Sequence, residues 1–149
     1  MLPAANDEST ILVKRTLPFP AEQVFDAWLT EDIARLFLFS APHGDVEETL
    51  IDPRVGGYFS VIDRRGDHSV LHTGEYVAID RPSRLFFTFR IPAFHKDSIL
   101  VRIYFTAAGQ ETHVVLDAGH VPPEARESAI HGWGSMLDLL GHAIKAMQP

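Results

Sequence analysis

Histidine is the residue type here with the widest chemical range, and the chain contains eight of them. His68 and His72 lie four positions apart, but no H-E-x-x-H pattern of a zinc site accompanies them. His131, Asp138 and His142 share one face of a predicted helix, and it is the polar face. Polar residues opposite an apolar stripe are typical of any amphipathic helix. We therefore expect a solvated surface there, no metal site and no cofactor.

Nucleophilic catalysis has little support in the sequence. There is no cysteine, and Ser135 sits inside a helical segment without the strand and second glycine of a G-x-S-x-G elbow. Glycine patterns of the Walker or Rossmann kind do not occur. If a reaction takes place, the candidate acids or bases are His72, Tyr76 and His95. We assign no catalytic residue and favour a binding protein over an enzyme.

Large apolar residues are the more informative set. Phe87 and Phe89 alternate with Thr88, so the two rings share one face of a predicted strand. Similar alternation elsewhere directs further apolar side chains toward the face of the last helix that carries Trp133. A packed core is the ordinary reason for such a pattern, and an apolar pocket is the alternative.

The first part of the chain predicts a strand and two short helices. Residues 1–9 are expected to be a frayed tail, and alternation over Ile11–Leu17 predicts the first strand. Pro20 can open a helix whose apolar stripe is Val24, Phe25 and Trp28. Thr30 is expected to cap a second helix, Glu31 to about Phe37, with inward side chains Ile33, Leu36 and Phe37.

Short β-branched and aromatic runs then indicate an antiparallel meander. Segments rich in glycine, proline and aspartate separate the runs, and these residues favour turns. The candidate strands are Val46 to Ile51, Tyr58 to Asp63, Val70 to Asp80, Leu85 to Ile91, Ile99 to Phe105, and Thr112 to Gly119.

A long helix after Pro122 and Pro123 completes an α+β chain that we interpret as one domain over residues 10–149. Its helical period predicts an apolar stripe of Ile130, Trp133, Leu137, Leu140, Ile144 and Met147. A broad apolar stripe of this length needs a large concave partner, which a twisted sheet of six or seven strands supplies. Arg15 lies on the inward parity of the first strand, and we expect it to pair with an acid such as Asp45 or Glu48.

The composition and charge of the chain limit the kinds of partner that the protein can bind. The chain has 149 residues, 46% of them hydrophobic, and a formal net charge of −7. This charge has the wrong sign for nucleic acid or an anionic membrane surface. No run of residues is long and apolar enough to span a membrane, and the lack of cysteine is compatible with a reducing interior. We expect a cytoplasmic protein that is a monomer or a weak homodimer.

Four segments resemble one known family. RTLPFPAEQVFDAWLTEDIARLF, DPRVGGYFSV, GEYVAIDRPSRLFFTFR and HGWGSMLDLL are similar, in this order, to proteins of the SRPBCC (START-like, helix-grip) superfamily. The resemblance is to the branch named for the activator of a heat-shock chaperone's ATPase, and it covers about residues 10–146. It implies a curved antiparallel sheet gripping the C-terminal helix, with a cavity that holds an apolar ligand in many relatives.

The resemblance implies ligand-binding residues but no particular ligand. Phe37 and Phe39 stand where many relatives have a tryptophan pair, and Phe89 stands where a tryptophan is frequent. The implied lining residues are Phe37, Phe39, Phe59, Val61, Tyr76, Phe87, Phe89, Ile103, Trp133 and Leu137.

Three functions are compatible with the sequence. The first is binding of a small hydrophobic or aromatic molecule between the sheet and the last helix. The second is a polyketide-cyclase-like or hydrolytic reaction in the same cavity. The third is a chaperone-regulating module in the stress response, although the sequence lacks the additional domain of the eukaryotic activators.

Overall fold

The structure, a computed structural model, describes residues 10–39, 45–94 and 96–148. The predicted tail over residues 1–9 and the candidate His95 lie outside this part of the chain. The described elements are β1 (Ile11–Leu17), α1 (Ala21–Ala27), α2 (Glu31–Ala34), β2 (Asp45–Ile51), β3 (Tyr58–Arg65), β4 (His68–Asp80), β5 (Arg84–Phe89), β6 (Ile99–Ala108), β7 (Glu111–Ala118), a 3₁₀ turn (Pro123–Ala125) and α3 (Arg126–Ala146).

The seven strands form one open sheet in the order β1-β7-β6-β5-β4-β3-β2, and every neighbouring pair is antiparallel. Strands β2 to β7 follow one another as a meander, and β1 joins the sheet beside β7. The predicted α+β, helix-grip fold with a sheet of six or seven strands is therefore confirmed, and the number of strands is seven. Among the described residues, β1 and β2 are the two edge strands.

The β3–β4 hairpin is longer than the sequence predicts. The ladder continues past the predicted strand ends until Arg65 pairs with His68. Gly66 adopts a φ of +66° in the two-residue turn between them, a conformation that glycine reaches without strain. Polar residues at an exposed hairpin end carry no apolar alternation, so sequence periodicity does not reveal that the backbone pairing continues there.

One face of the sheet is apolar and faces α3. Inward positions recur at every second residue, for example Leu85, Phe87 and Phe89 on β5, all of which are buried. α3 packs mainly on β1, where Gly134 lies against the side chains of Val13 and Arg15. The opposite edge of the sheet is left farther from the helix, which makes room for a cleft.

The buried arc of α3 differs in part from the predicted stripe. Trp133, Leu137, Leu140 and Ile144 are buried as predicted, but Met136 and Ala143 are buried too. Ile130 is 37% exposed and Met147 is 49% exposed, so their predicted burial is wrong. Because Met136 and Ala143 belong to the buried arc of α3, the centre of that arc lies farther around the helix from Ile130. Met147 is exposed because it follows the last residue of α3.

The helix pair after β1 also departs from its predicted details. Val24, Phe25 and Trp28 are buried as expected, whereas Leu36 is 39% exposed. α2 ends at Ala34, and turns continue the chain to Leu38. The Thr30 hydroxyl does not cap α2, because it donates a hydrogen bond to the backbone carbonyl of Asp26 at 2.7 Å.

Arg15 has a different partner from those predicted. Its Nε donates to Oδ1 of Asp138 on α3 at 2.8 Å. Asp45 and Glu48 belong to β2, which lies at the opposite edge of the sheet from β1. An acid on β2 is therefore too far from Arg15, while α3 packs directly on β1. Within the described residues, no helix is long and apolar enough to cross a membrane.

Candidate ligand-binding site

A large cavity opens beneath the first half of α3. Its volume is about 1000 Å³, at the upper end of the range for small-molecule sites. The described residues of the β5–β6 connection, the segment before α3 and the first turns of α3 form most of its walls. The described residues that line it are Arg65, Phe89, Ile91, Phe94, Lys96, Asp97, Ser98, Ile99, His120, Val121, Pro122, Ala125, Ser128, Ala129 and Trp133.

An adjoining cavity of about 390 Å³ lies toward β4. It is lined in part by Phe39, His72 and Met136. Both cavities share the lining residues Arg65, Phe89, Ile91, Ala129 and Trp133. We therefore treat the two as one cleft and call it the α3 cleft.

Phe39 is the central ring of the aromatic cluster that walls the cleft. Its ring is nearly parallel to those of Phe89, at a centroid distance of 4.7 Å, and His72, at 5.2 Å. Trp133 meets Phe39 edge-on at 5.8 Å and Phe89 at 5.3 Å. Both arrangements are favourable for aromatic pairs, so the cluster forms an ordered wall.

The backbone of Phe39 is strained. Its φ is +54°, which is unusual for a bulky residue without the freedom of glycine. The Phe39 N–H lies 3.3 Å from Sδ of Met136 on α3. Contacts with α3 and the surrounding rings hold the residue in this conformation, as is common at ligand sites.

The structure separates the ten predicted lining residues into three groups. Phe39, Phe89 and Trp133 line the α3 cleft. Phe59, Tyr76 and Phe87 surround a small void of about 10 Å³ that Phe39 also borders. The remaining four are completely buried and line none of the cavities found among the described residues: Phe37, Val61, Ile103 and Leu137.

Sequence reasoning missed Arg65, which lines both parts of the cleft. Its Nε donates to Oδ2 of Asp63 at 3.0 Å, and the Asp63 side chain is completely buried. Asp63 and Arg65 have the same strand parity as Phe59 and Val61, whose side chains point inward. This alternation could have indicated that Arg65 points inward. It was missed because the predicted strand ended at Asp63, two residues before Arg65.

His72 is a buried, neutral imidazole in the wall of the cleft. It is 2% exposed, and its Nδ1 lies 3.4 Å from the carbonyl oxygen of Val61. Burial is the main cause that lowers the pKa of His72, and the positive charge of Arg65 acts in the same direction. The Val61 carbonyl and the Asp63 carboxylate oppose this shift without cancelling it.

This environment should make the stability of the fold depend on pH. The unfolded chain binds a proton at His72 below about pH 6.5, whereas the folded chain does so only at lower pH. The free energy of unfolding should therefore fall as the pH drops below about 6.5, by up to about 1.4 kcal/mol per unit, until the folded-state pKa is reached. Urea unfolding between pH 5 and 8 measures this slope.

The variant His72→Phe should remove that part of the slope, because a phenyl ring keeps the stack on Phe39 and cannot titrate. His142→Phe is the matched control, since His142 is exposed on α3. If His72→Phe kept the wild-type slope, protonation of His72 would not be its source.

The candidate acids and bases do not come together in the described structure. His72 faces the cleft, while Tyr76 borders the small void. The two residues lie four positions apart on β4, which corresponds to roughly 13 Å along a strand. Burial, with the negative charge of Asp52 adding to it, raises the pKa of Tyr76 far above its ordinary value, so the phenol stays protonated.

The polar face of α3 is a solvated surface. His131, Asp138 and His142 are exposed, and Asp138 accepts the hydrogen bond from Arg15. Across the described ranges, no three histidine, aspartate or glutamate side chains lie close enough to hold a metal ion.

An open antiparallel sheet that grips a long C-terminal helix over an apolar cleft defines the helix-grip class of the SRPBCC superfamily. The family model described as "Activator of Hsp90 ATPase homolog 1-like protein" matches residues 18–145. The chain therefore belongs to this family, which confirms the resemblance carried by the four sequence segments.

Solved structures agree with this assignment. A protein from Nitrosomonas europaea is 19% identical, with a TM-score of 0.83 over 98% of this chain and 100% of that chain. A protein from Chromobacterium violaceum is 20% identical, with a TM-score of 0.83 over 92% of this chain and 97% of that chain. An AHSA1-like protein from Aeromonas hydrophila is 20% identical, with a TM-score of 0.80 over 92% of each chain.

At these identities the likeness shows the fold alone. No curated protein matches the sequence significantly.

Proposed function

We propose that the protein binds a small apolar or aromatic molecule in the α3 cleft. The observation that carries this proposal is a cavity of about 1000 Å³ whose wall includes Phe89, Ile91 and Trp133. Binding sites for small molecules are concave and mostly apolar, with a few polar groups that orient the ligand. Arg65, His72 and His120 are such groups at this site.

Binding without reaction fits the chemistry of the cleft better than catalysis does. A hydrolase or cyclase needs an acid, a base or a nucleophile within reach of one substrate atom. His72 reaches the cleft, but Tyr76 is separated from it. The family description names a chaperone activator, and regulation of a chaperone would need a protein-binding surface, whereas the cleft favours a small molecule.

A blocking substitution tests the proposal directly. Ala129 lines both parts of the cleft, so Ala129→Phe should fill space that a ligand needs. The neutral fluorescent probe N-phenyl-1-naphthylamine should bind the wild type and bind Ala129→Phe at least about tenfold more weakly. Ala146→Phe is the matched control, because Ala146 is exposed at the end of the same helix.

The same design separates the alternatives. Equal probe binding by Ala129→Phe, Ala146→Phe and the wild type would contradict binding in the cleft. Turnover of a polyketide-like substrate that disappears in folded His72→Ala would favour the cyclase function. The cytoplasmic location and the monomeric or weakly dimeric state remain predictions, and size-exclusion chromatography with light scattering measures the second.

A further inference from the structure

We infer that the ligand of the α3 cleft is an amphipathic anion, with an apolar body and one carboxylate that pairs with Arg65. This inference rests on the proposed function and specifies the chemistry of its ligand. The position of Arg65, its hydrogen bonding and the character of the surrounding wall each support it.

Arg65 lies where the two parts of the cleft meet. It is one of only five described residues that line both parts, and the other four are Phe89, Ile91, Ala129 and Trp133. Arg65 is thus the charged residue among these five shared lining residues. A ligand that occupies both parts must pass beside it.

The hydrogen bonding of Arg65 leaves donors for a ligand. The one side-chain hydrogen bond that Arg65 makes within the described residues runs from Nε to Oδ2 of Asp63. That bond holds the guanidinium by one side, while the two terminal Nη groups have no described protein partner. Two such nitrogens match the two oxygens of a carboxylate in a bidentate pair.

Asp63 alone does not explain the position of Arg65. The Asp63 side chain is completely buried, and pairing with Arg65 offsets part of the cost of burying its charge. However, this pairing uses only Nε, and the Arg65 side chain remains 41% exposed. Asp63 therefore acts as a positioning residue that fixes the plane of the guanidinium.

Other charges near the cleft are balanced. Lys96 and Asp97 line the large cavity with opposite charges. Ala125, which precedes α3, and Ser128 in its first turn also contribute to the wall, and the N-terminal end of a helix carries a partial positive charge. The whole chain has a net charge of −7, so attraction of an anion must come from close contact with Arg65 and not from long-range steering.

The test compares an acid with its neutral isostere. 1-Naphthaleneacetate and 1-naphthaleneacetamide have the same ring and nearly the same shape, and only the acetate is charged. Isothermal titration calorimetry should show at least about tenfold tighter binding of the acetate by the wild type, because hydrogen bonds between two charged groups are stronger than those to a neutral amide. Decanoate and decanamide repeat the comparison with an aliphatic body and tell which apolar body the cleft accepts.

Arg65→Gln should abolish the preference for the acid, because it weakens binding of the acetate more than binding of the amide. Arg64→Gln is the matched control, because Arg64 is exposed on the opposite face of β3 and lines neither part of the cleft. If Arg65→Gln fails to fold because the buried Asp63 loses the hydrogen bond from Arg65, the double variant Asp63→Asn/Arg65→Gln removes both charges together.

The outcomes separate the inference from the proposed function. Equal binding of acid and amide by the wild type would overturn the role of Arg65 and leave the apolar site intact. A preference that survives in the folded Arg65 variant would overturn it as well. No binding of either pair would overturn both the inference and the proposed function.

Discussion

Replacing Gly74 with alanine should destabilise the protein by about 3 kcal/mol or more, or prevent folding. Gly74 is a buried residue of β4, and a Cβ added there would collide with the backbone carbonyl oxygen of Thr88. It would also lie 2.7 Å from the Phe59 ring. The Thr88 oxygen belongs to the backbone of the neighbouring strand β5, so it cannot move away without disturbing the pairing of β4 with β5.

A second glycine is the control for this prediction. Gly132 lies within α3, and a Cβ added there meets no described atom within 4 Å. Because glycine in a helix interior is less stable than alanine by about 0.5–1 kcal/mol, Gly132→Ala should stabilise the fold by that amount. Urea unfolding measures both variants. A Gly74→Ala protein within about 1 kcal/mol of the wild type would contradict the close strand approach.

The two tryptophans should respond differently to removal. Trp28 is 1% exposed and packs edge-on against Phe37 at a centroid distance of 5.1 Å. Trp28→Ala should therefore lower the free energy of unfolding by about 3–5 kcal/mol, the loss expected for a fully packed tryptophan. Trp133 is also largely buried, but part of its ring faces the α3 cleft. Trp133→Ala should cost less than about 3 kcal/mol, because its contacts are incomplete on the side of the cleft.

Urea unfolding of the two variants under one set of conditions gives the comparison. The difference in free energy of unfolding between the wild type and Trp28→Ala gives the loss for a fully packed ring, with which the loss for Trp133→Ala is compared. Equal losses for Trp28→Ala and Trp133→Ala would mean that α3 meets the sheet without a gap near Trp133, and the cleft would then not exist in solution.

The sequence predicts the fold well because its signals are local. Alternation in β5 and β6 and the turn residues between strands reflect the pleat and the turn geometry of each segment alone. The partner of Arg15 could not be predicted in this way. It depends on which strands form the two edges of the sheet, and that is a property of the whole topology.

The binding site was harder to predict from the sequence than the fold was. Period-two patterns show that Val61, Ile103 and Phe89 point inward, but they do not show which of them borders empty space. That depends on how far α3 stands from each strand. Ile103 is completely buried and does not line the cleft, while Phe89 lines it. The positive φ of Phe39 has no signal in its residue type, because tertiary contacts impose it.

Quenching of Trp133 by a brominated ligand tests most directly whether the α3 cleft binds apolar molecules. The chain has two tryptophans, so Trp28→Phe leaves Trp133 as the only emitter. This substitution also removes an indole N–H that lacks a hydrogen-bond partner among the described residues, which favours a folded variant. Bromocyclohexane quenches by contact, and methylcyclohexane is a ligand of similar shape without the heavy atom.

We predict that bromocyclohexane quenches Trp133 with a saturable dependence on concentration, and that methylcyclohexane competes with it. Trp28, observed alone in Trp133→Phe, should show only weak quenching that rises linearly, because it is buried away from the cleft. Linear quenching of equal strength in both single-tryptophan variants would contradict an apolar binding site beside Trp133.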